Sequence, residues 1–202
     1  MKRSLLCIAI LGALALGACG QNPLLKSVSA DFAPIRVGSE WSYVDPAGSG
    51  TMTRKVVGAG IYQGRDAFTV VAQVNSLPAT TDYWSFSNGV LERYDASLGG
   101  WTLLRRLPYV FTNKWVLETG NPLVTSVQSV ETLETITTPV GKIAGCYRLK
   151  TKTSTYDAVN DVTSTVESLL WAAPNIGDVR YADVDASGNI TVTLTLSSYR
   201  IP

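Results

Sequence analysis

After Phe32 the chain breaks into short runs rich in Val, Ile, Thr, Tyr and Trp, separated by Gly, Pro, Asn and Asp. No window carries an apolar stripe at the helical period over roughly eleven residues or more, whereas period-two alternation recurs throughout. The pattern predicts strands near 40–45, 51–58, 66–75, 81–87, 90–95, 101–107, 113–118, 125–137, 146–156, 162–172, 178–184 and 190–200. Asn88-Gly89 lies between two such runs, and both residues accept the positive φ of a type I′ hairpin turn. Ala186-Ser187-Gly188-Asn189 joins the last two runs in the same way. In the last run Ile190, Val192, Leu194 and Leu196 alternate with Thr191, Thr193, Thr195 and Ser197, which predicts one buried and one wet face. Consecutive hairpins make a meander. The expected fold is therefore all-β, a single antiparallel meander forming a strongly curved sheet or open barrel.

The stretch 124–136 departs from this rhythm. Val124, Val127, Val130, Leu133 and Ile136 recur every third residue, which fits neither strand nor helix and predicts a bulge or change of register. Pro139 with Gly141, and Pro174 with Gly177, end one strand and permit a reversal before the next. Trp41 and Tyr43 stand two apart, hence on one strand face, where their rings can plug one end of a core.

The first thirty residues follow another logic. Lys2 and Arg3 precede an apolar stretch from Leu5 to Leu16, too short to span a bilayer, which takes roughly 20 residues. Leu16-Gly17-Ala18-Cys19 resembles the lipobox of bacterial lipoproteins. That resemblance implies cleavage before Cys19, acylation of its sulfur and amine, and anchoring to a membrane by two or three acyl chains. Gly20 is not aspartate, which in Gram-negative lipoproteins implies sorting to the outer membrane. The expected organisation is a helical signal peptide over 1–18, a lipidated Cys19 and tether over 19–31, and an envelope domain over 32–202. Extended, the tether reaches about 40 Å.

Removing residues 1–18 from 202 leaves 184, enough for one well-buried domain. Lys2 and Arg3 leave with the signal, so 15 basic side chains face 16 acidic ones, a mature net charge of −1. That balance lacks the basic footprint nucleic acid demands. Of three cysteines, Cys7 departs with the signal and Cys19 is acylated, so Cys146 stands alone and no intrachain disulfide forms. Between Gly145 and Tyr147 it reads as a small buried apolar residue.

A wider likeness covers most of the mature chain. Ile35-Arg36-Val37-Gly38-Ser39-Glu40-Trp41-Ser42-Tyr43, Thr138-Pro139-Val140-Gly141-Lys142-Ile143 with Cys146, and Ala172-Ala173-Pro174-Asn175-Ile176-Gly177-Asp178-Val179 resemble, in order and spacing, three elements of a largely uncharacterised group of small exported lipoproteins. Ile143, Asn175 and Asp178 depart from that group's pattern. The resemblance implies a curved antiparallel sheet and an exported location, and carries no catalytic residues.

Histidine is absent, which removes Ser-His-Asp and Cys-His catalysis and histidine zinc sites. No Gly-x-Ser-x-Gly or Ser-x-x-Lys motif occurs, and Gly58-Ala59-Gly60 lacks the third glycine and helix of a dinucleotide site. Asp183 to Ile190 matches the start of a calcium loop, but Leu194 stands where a bidentate glutamate belongs, so a hairpin is the better reading. No cofactor or metal is expected. Glu131 and Glu134 exemplify the scattered carboxylates that a hydrolase would have to gather.

Trp101, Arg105, Arg106, Lys114 and Trp115 interleave aromatic and cationic side chains and are the candidate binding face. Three functions remain open: a non-enzymatic binding or scaffolding domain meeting an envelope protein, a carrier or sensor of an apolar ligand, and, weakest, a carboxylate-based hydrolase. A carrier predicts an apolar concave wall that includes Val70, Trp84, Leu103 and Leu194.

Overall fold

A computed structural model describes residues 31–202; the predicted signal peptide, Cys19 and nearly all of the tether lie outside the described residues. Twelve strands run in chain order: β1 (Glu40–Val44), β2 (Thr51–Tyr62), β3 (Arg65–Val74), β4 (Thr80–Ser87), β5 (Val90–Asp95), β6 (Gly100–Arg106), β7 (Lys114–Leu117), β8 (Val124–Thr138), β9 (Gly141–Asp157), β10 (Val162–Ala173), β11 (Gly177–Val184) and β12 (Ile190–Arg200). Among the described residues there is no helix. All strands pair antiparallel in one sheet of order β6-β5-β4-β3-β2-β1-β12-β11-β10-β9-β8-β7.

Every pairing but β1 with β12 joins sequence neighbours, so the sheet is a meander closed on itself in the middle. Its two edges, β6 and β7, lie close together without a ladder between them. The result is a nearly closed barrel with one seam. Residues 107–113 cross that seam: the Leu107 amide donates to Gly89 O at 2.6 Å, and the Val130 amide donates to Asn113 O at 3.1 Å. Tyr109 in this crossing is buried and packs edge-on against Phe32 at 5.2 Å.

The hairpins form where their turn residues predict. Asn88 and Gly89 both have positive φ, 51° and 75°. In the last hairpin Asp185 accepts from the Ser187 and Asn189 amides, so its acidic side chain organises a turn. The irregular stretch in β8 contains two register shifts against β9, at Val130/Thr132 and Glu134/Ile136. Opposite the second lies Gly145, with φ 72°. The run 141–145 reads as a break in sequence because of its glycines, yet β9 begins at Gly141 and absorbs Gly145 as part of the irregularity.

β12 departs from the predicted alternation. Ile190 is exposed and Thr195 buried, because this strand lies mid-sheet between neighbours that both slip register, at Ser42/Tyr43 and Tyr181/Ala182. A similar shift at Leu91/Glu92 alters β6: Leu104, not Leu103, packs on the core. Trp41, Tyr43, Val56, Val70, Trp84, Leu91, Val179 and Leu196 are among the buried core residues. Cys146 is fully buried, and burial pushes its thiol up to about 11.

Candidate functional site: an arginine-floored cleft inside the barrel

The turn between β10 and β11 builds the site. Pro174 stops β10, Asn175 and Gly177 take positive φ of 59° and 89°, and the chain re-enters the sheet at Asp178. The turn is clamped from β1. Trp41 Nε1 donates to Ile176 O at 2.5 Å, and Tyr43 Oη donates to Asp178 O at 3.1 Å. The segment leading into β1 lies over it, with the Asn175 amide donating to Asp31 O at 2.7 Å. Asp178 stands opposite Ala172, a residue with no exposed surface, across a register shift at Trp171/Ala172. A small partner there leaves room for charged groups.

Those groups come from far around the sheet. Arg105 of β6 forks onto the Asp178 carboxylate, Nη1 to Oδ1 at 2.5 Å and Nη2 to Oδ2 at 2.7 Å. Arg54 of β2 reaches Oδ2 with Nη1 at 3.3 Å, and the same nitrogen donates to Tyr181 Oη at 3.2 Å. Tyr181 Oη donates to Oδ2 at 2.5 Å. Arg54 also stacks over Trp84, 5.1 Å from the ring centre, and Tyr43 meets Tyr181 edge-on at 5.7 Å.

Asp178 is buried, and Arg105 and Arg54 are largely so, with 13% and 18% of their side chains exposed; the electrostatics follow from that. Burial alone would raise the Asp178 pKa; the charges and hydrogen bonds of Arg105, then Arg54, overcome it and hold the carboxyl below its usual range. Burial likewise opposes the charge on both arginines, yet the surrounding oxygens hold them above their ordinary value. Burial pushes Tyr181 and Tyr109 up to about 12, so both are neutral hydroxyls at neutral pH.

On one side of this cluster the barrel is filled. Phe32, Ala33 and Ile35 pack over its end, leaving a space of only ≈ 20 Å³ bordered by Trp41, Tyr43, Arg54, Trp84, Leu91 and Arg105. On the other side Arg54 and Tyr181 border an open-mouthed cleft of ≈ 420 Å³. Its lining comes from β2, β8, β9, β10, β11 and β12, including Met52, Gln128, Leu170 and Leu194. Asp183 borders the cleft with an exposed carboxylate. Gln128 is 6% exposed; its Nε2 donates to Thr151 Oγ1 at 2.9 Å, while its buried Oε1 has no partner.

The concave wall differs from the apolar expectation. Val70 and Trp84 are buried in the core and only Leu194 of the four named residues borders the cleft, alongside Arg54, Gln128, Thr151 and Tyr181. A cleft that sets a guanidinium and polar side chains beside the aliphatic Met52, Leu170 and Leu194 suits an amphipathic molecule.

The predicted aromatic–cationic face is divided among three places. Arg106, Lys114 and Trp115 line a shallow depression of ≈ 540 Å³ beside the seam. Arg105 turns inward to Asp178, because the shift at Leu91/Glu92 sets it opposite Leu91 of the core. Trp101 packs against Tyr94 at 5.6 Å under Arg65. Glu131 and Glu134 both bind Arg148, at 3.0 Å each. Sequence reasoning missed Arg54 and Tyr181 altogether. Asp178 left a signal, as the one charged residue between Ala172 and Val179 and, with Asn175, a departure from the small-lipoprotein pattern in that turn.

No protein-family model and no curated protein matches the sequence. Solved structures do. One, from Bacteroides fragilis, is provisionally described as an exported protein with a YmcC-like fold; it superposes with a TM-score of 0.58 at 15% identity, covering 85% of this chain and 99% of that one. Another, from Parabacteroides distasonis, is provisionally described as a lipoprotein; its TM-score is 0.55 at 16% identity, with the same coverage. At these identities the similarity shows the fold.

Proposed function

We propose that this chain is a non-enzymatic binding domain of the bacterial envelope, held to a membrane through acylated Cys19, and that its barrel carries or senses an amphipathic ligand in the cleft bordered by Arg54, Tyr181 and Gln128. One observation carries the reading. The barrel is packed solid at the end covered by Phe32 and Ile35 but stays open beyond Arg54, where polar groups converge above an aliphatic wall. Cavities that bind small molecules combine apolar surface with placed polar groups; here Met52, Leu170 and Leu194 stand beside Arg54, Gln128, Thr151, Ser168 and Thr193. The lipobox resemblance and the exported or lipoprotein descriptions of similar folds support the location.

The test is mass spectrometry of small molecules extracted from the full chain purified from membranes, beside a Leu194→Trp variant that fills the cleft. A molecule present in wild type and lost from a folded variant supports the reading. Equal recovery from both chains overturns it.

A further inference from the structure

The charges inside the barrel do not balance. Asp178 is the only carboxylate hydrogen-bonded to Arg54 and Arg105 among the described residues, and Arg105 alone satisfies it with a two-pronged contact at 2.5 and 2.7 Å. Arg54 adds a second guanidinium through one nitrogen, Nη1, so Nη2 and Nε make no hydrogen bond among the described residues. Tyr43, Tyr109 and Tyr181 stay neutral because burial raises each of them. Asp183 borders the same cleft, but its carboxylate is exposed to solvent, where water screens it, and it makes no hydrogen bond to Arg54. One positive charge therefore sits at the inner end of the cleft with unused donors. With 18% of its side chain exposed, Arg54 keeps those donors open to an incoming anion.

Gln128 is a second, independent sign. Its amide is buried in the same cleft with one end unmatched. Thr151 can donate or accept, so the amide can turn over and present either its oxygen or its N–H to an incoming group. Met52, Leu170 and Leu194 offer aliphatic surface in the cleft, interspersed with Ser168 and Thr193.

We infer that the ligand is a single-chain anionic amphiphile of fatty-acid type, its carboxylate against the unused edge of Arg54 and its chain along Met52, Leu170 and Leu194. This rests on the proposed ligand cleft and adds the charge of the ligand to it. A carboxylate takes two parallel N–H donors from one guanidinium, which is the pair that Arg54 leaves unused.

The experiment compares dodecanoate, dodecanol and dodecyltrimethylammonium by calorimetric titration of the full chain in a non-ionic detergent at neutral pH. Dodecanoate should bind roughly tenfold tighter than dodecanol, the scale of one added charge-assisted hydrogen-bonded contact. The quaternary ammonium should bind weakest. Arg54→Gln should bring dodecanoate down to the affinity that dodecanol shows in the same variant; Arg105 still neutralises Asp178 there. Equal binding of dodecanoate and dodecanol to wild type overturns the charge inference and leaves the cleft reading standing. Binding of neither overturns both.

Discussion

Asp178 is the residue on which the interior depends. Among the described residues it is the one carboxylate between two largely buried guanidiniums, so its removal leaves both unpaired. Asp178→Asn should destabilise the domain by about 3–5 kcal/mol in denaturant titration, the usual cost of orphaning a buried charge. Arg54→Met should cost clearly less than Arg105→Met, because Arg105 holds the carboxylate with two short bonds and Arg54 with one long one. Equal losses would contradict that division. The pH dependence follows from the direction of the shifts. Asp178 has its pKa depressed in the folded state, so its contribution is whole above the ordinary carboxylate range, about 4, and is lost as pH falls through the lower folded value. Tyr181 and Tyr109 are shifted the other way. Their contribution is whole below about 10, the ordinary tyrosine value, and is lost as pH rises toward about 12. Thermal unfolding followed across pH should show both flanks. Cys146, fully buried with its thiol raised to about 11, should react with thiol reagents only at the rate of local opening; fast labelling of the native chain would contradict its packing role.

At the scale of elements, turns and strand positions are legible in the sequence because their causes are local. Asn88-Gly89 needs only two residues tolerant of positive φ, and the threefold apolar spacing in β8 betrays its register shifts directly. What faces where is less legible, because each shift turns the following side chains to the other side. The shift at Leu91/Glu92 is why Arg105, grouped in sequence with Arg106, ends inside the barrel while Arg106 lines the depression beside the seam. Nothing in the local pattern around Arg54 marks it, since its partner Asp178 lies 124 positions away. The turn chemistry makes its own prediction. A Cβ added at Gly89 would lie 2.3 Å from Leu107 O, where the chain leaves β6 to cross the seam. Gly89→Ala should therefore cost about 2 kcal/mol or more, combining a positive-φ penalty with a backbone clash. Gly188→Ala meets nothing within 4 Å and should cost less, about 1 kcal/mol from φ alone.

At the scale of the molecule, a meander that returns β12 beside β1 curls the sheet until its edges meet, and the consequence is an interior shared by strands remote in sequence. One end is closed by the residues leading into β1, the other remains open, and the charged cluster divides them. The sequence rules out histidine chemistry, and its lipobox resemblance implies an address, but the cleft is a product of closure and has no linear signature. Binding of an anionic amphiphile in that cleft is the central claim, and methyl NMR of the full chain titrated with dodecanoate tests it most directly. The account predicts shifts concentrated on Met52, Leu170 and Leu194, saturating together and absent in Leu194→Trp; shifts confined to Val116 beside Trp115 and Lys114, or no shifts at any methyl, would contradict it.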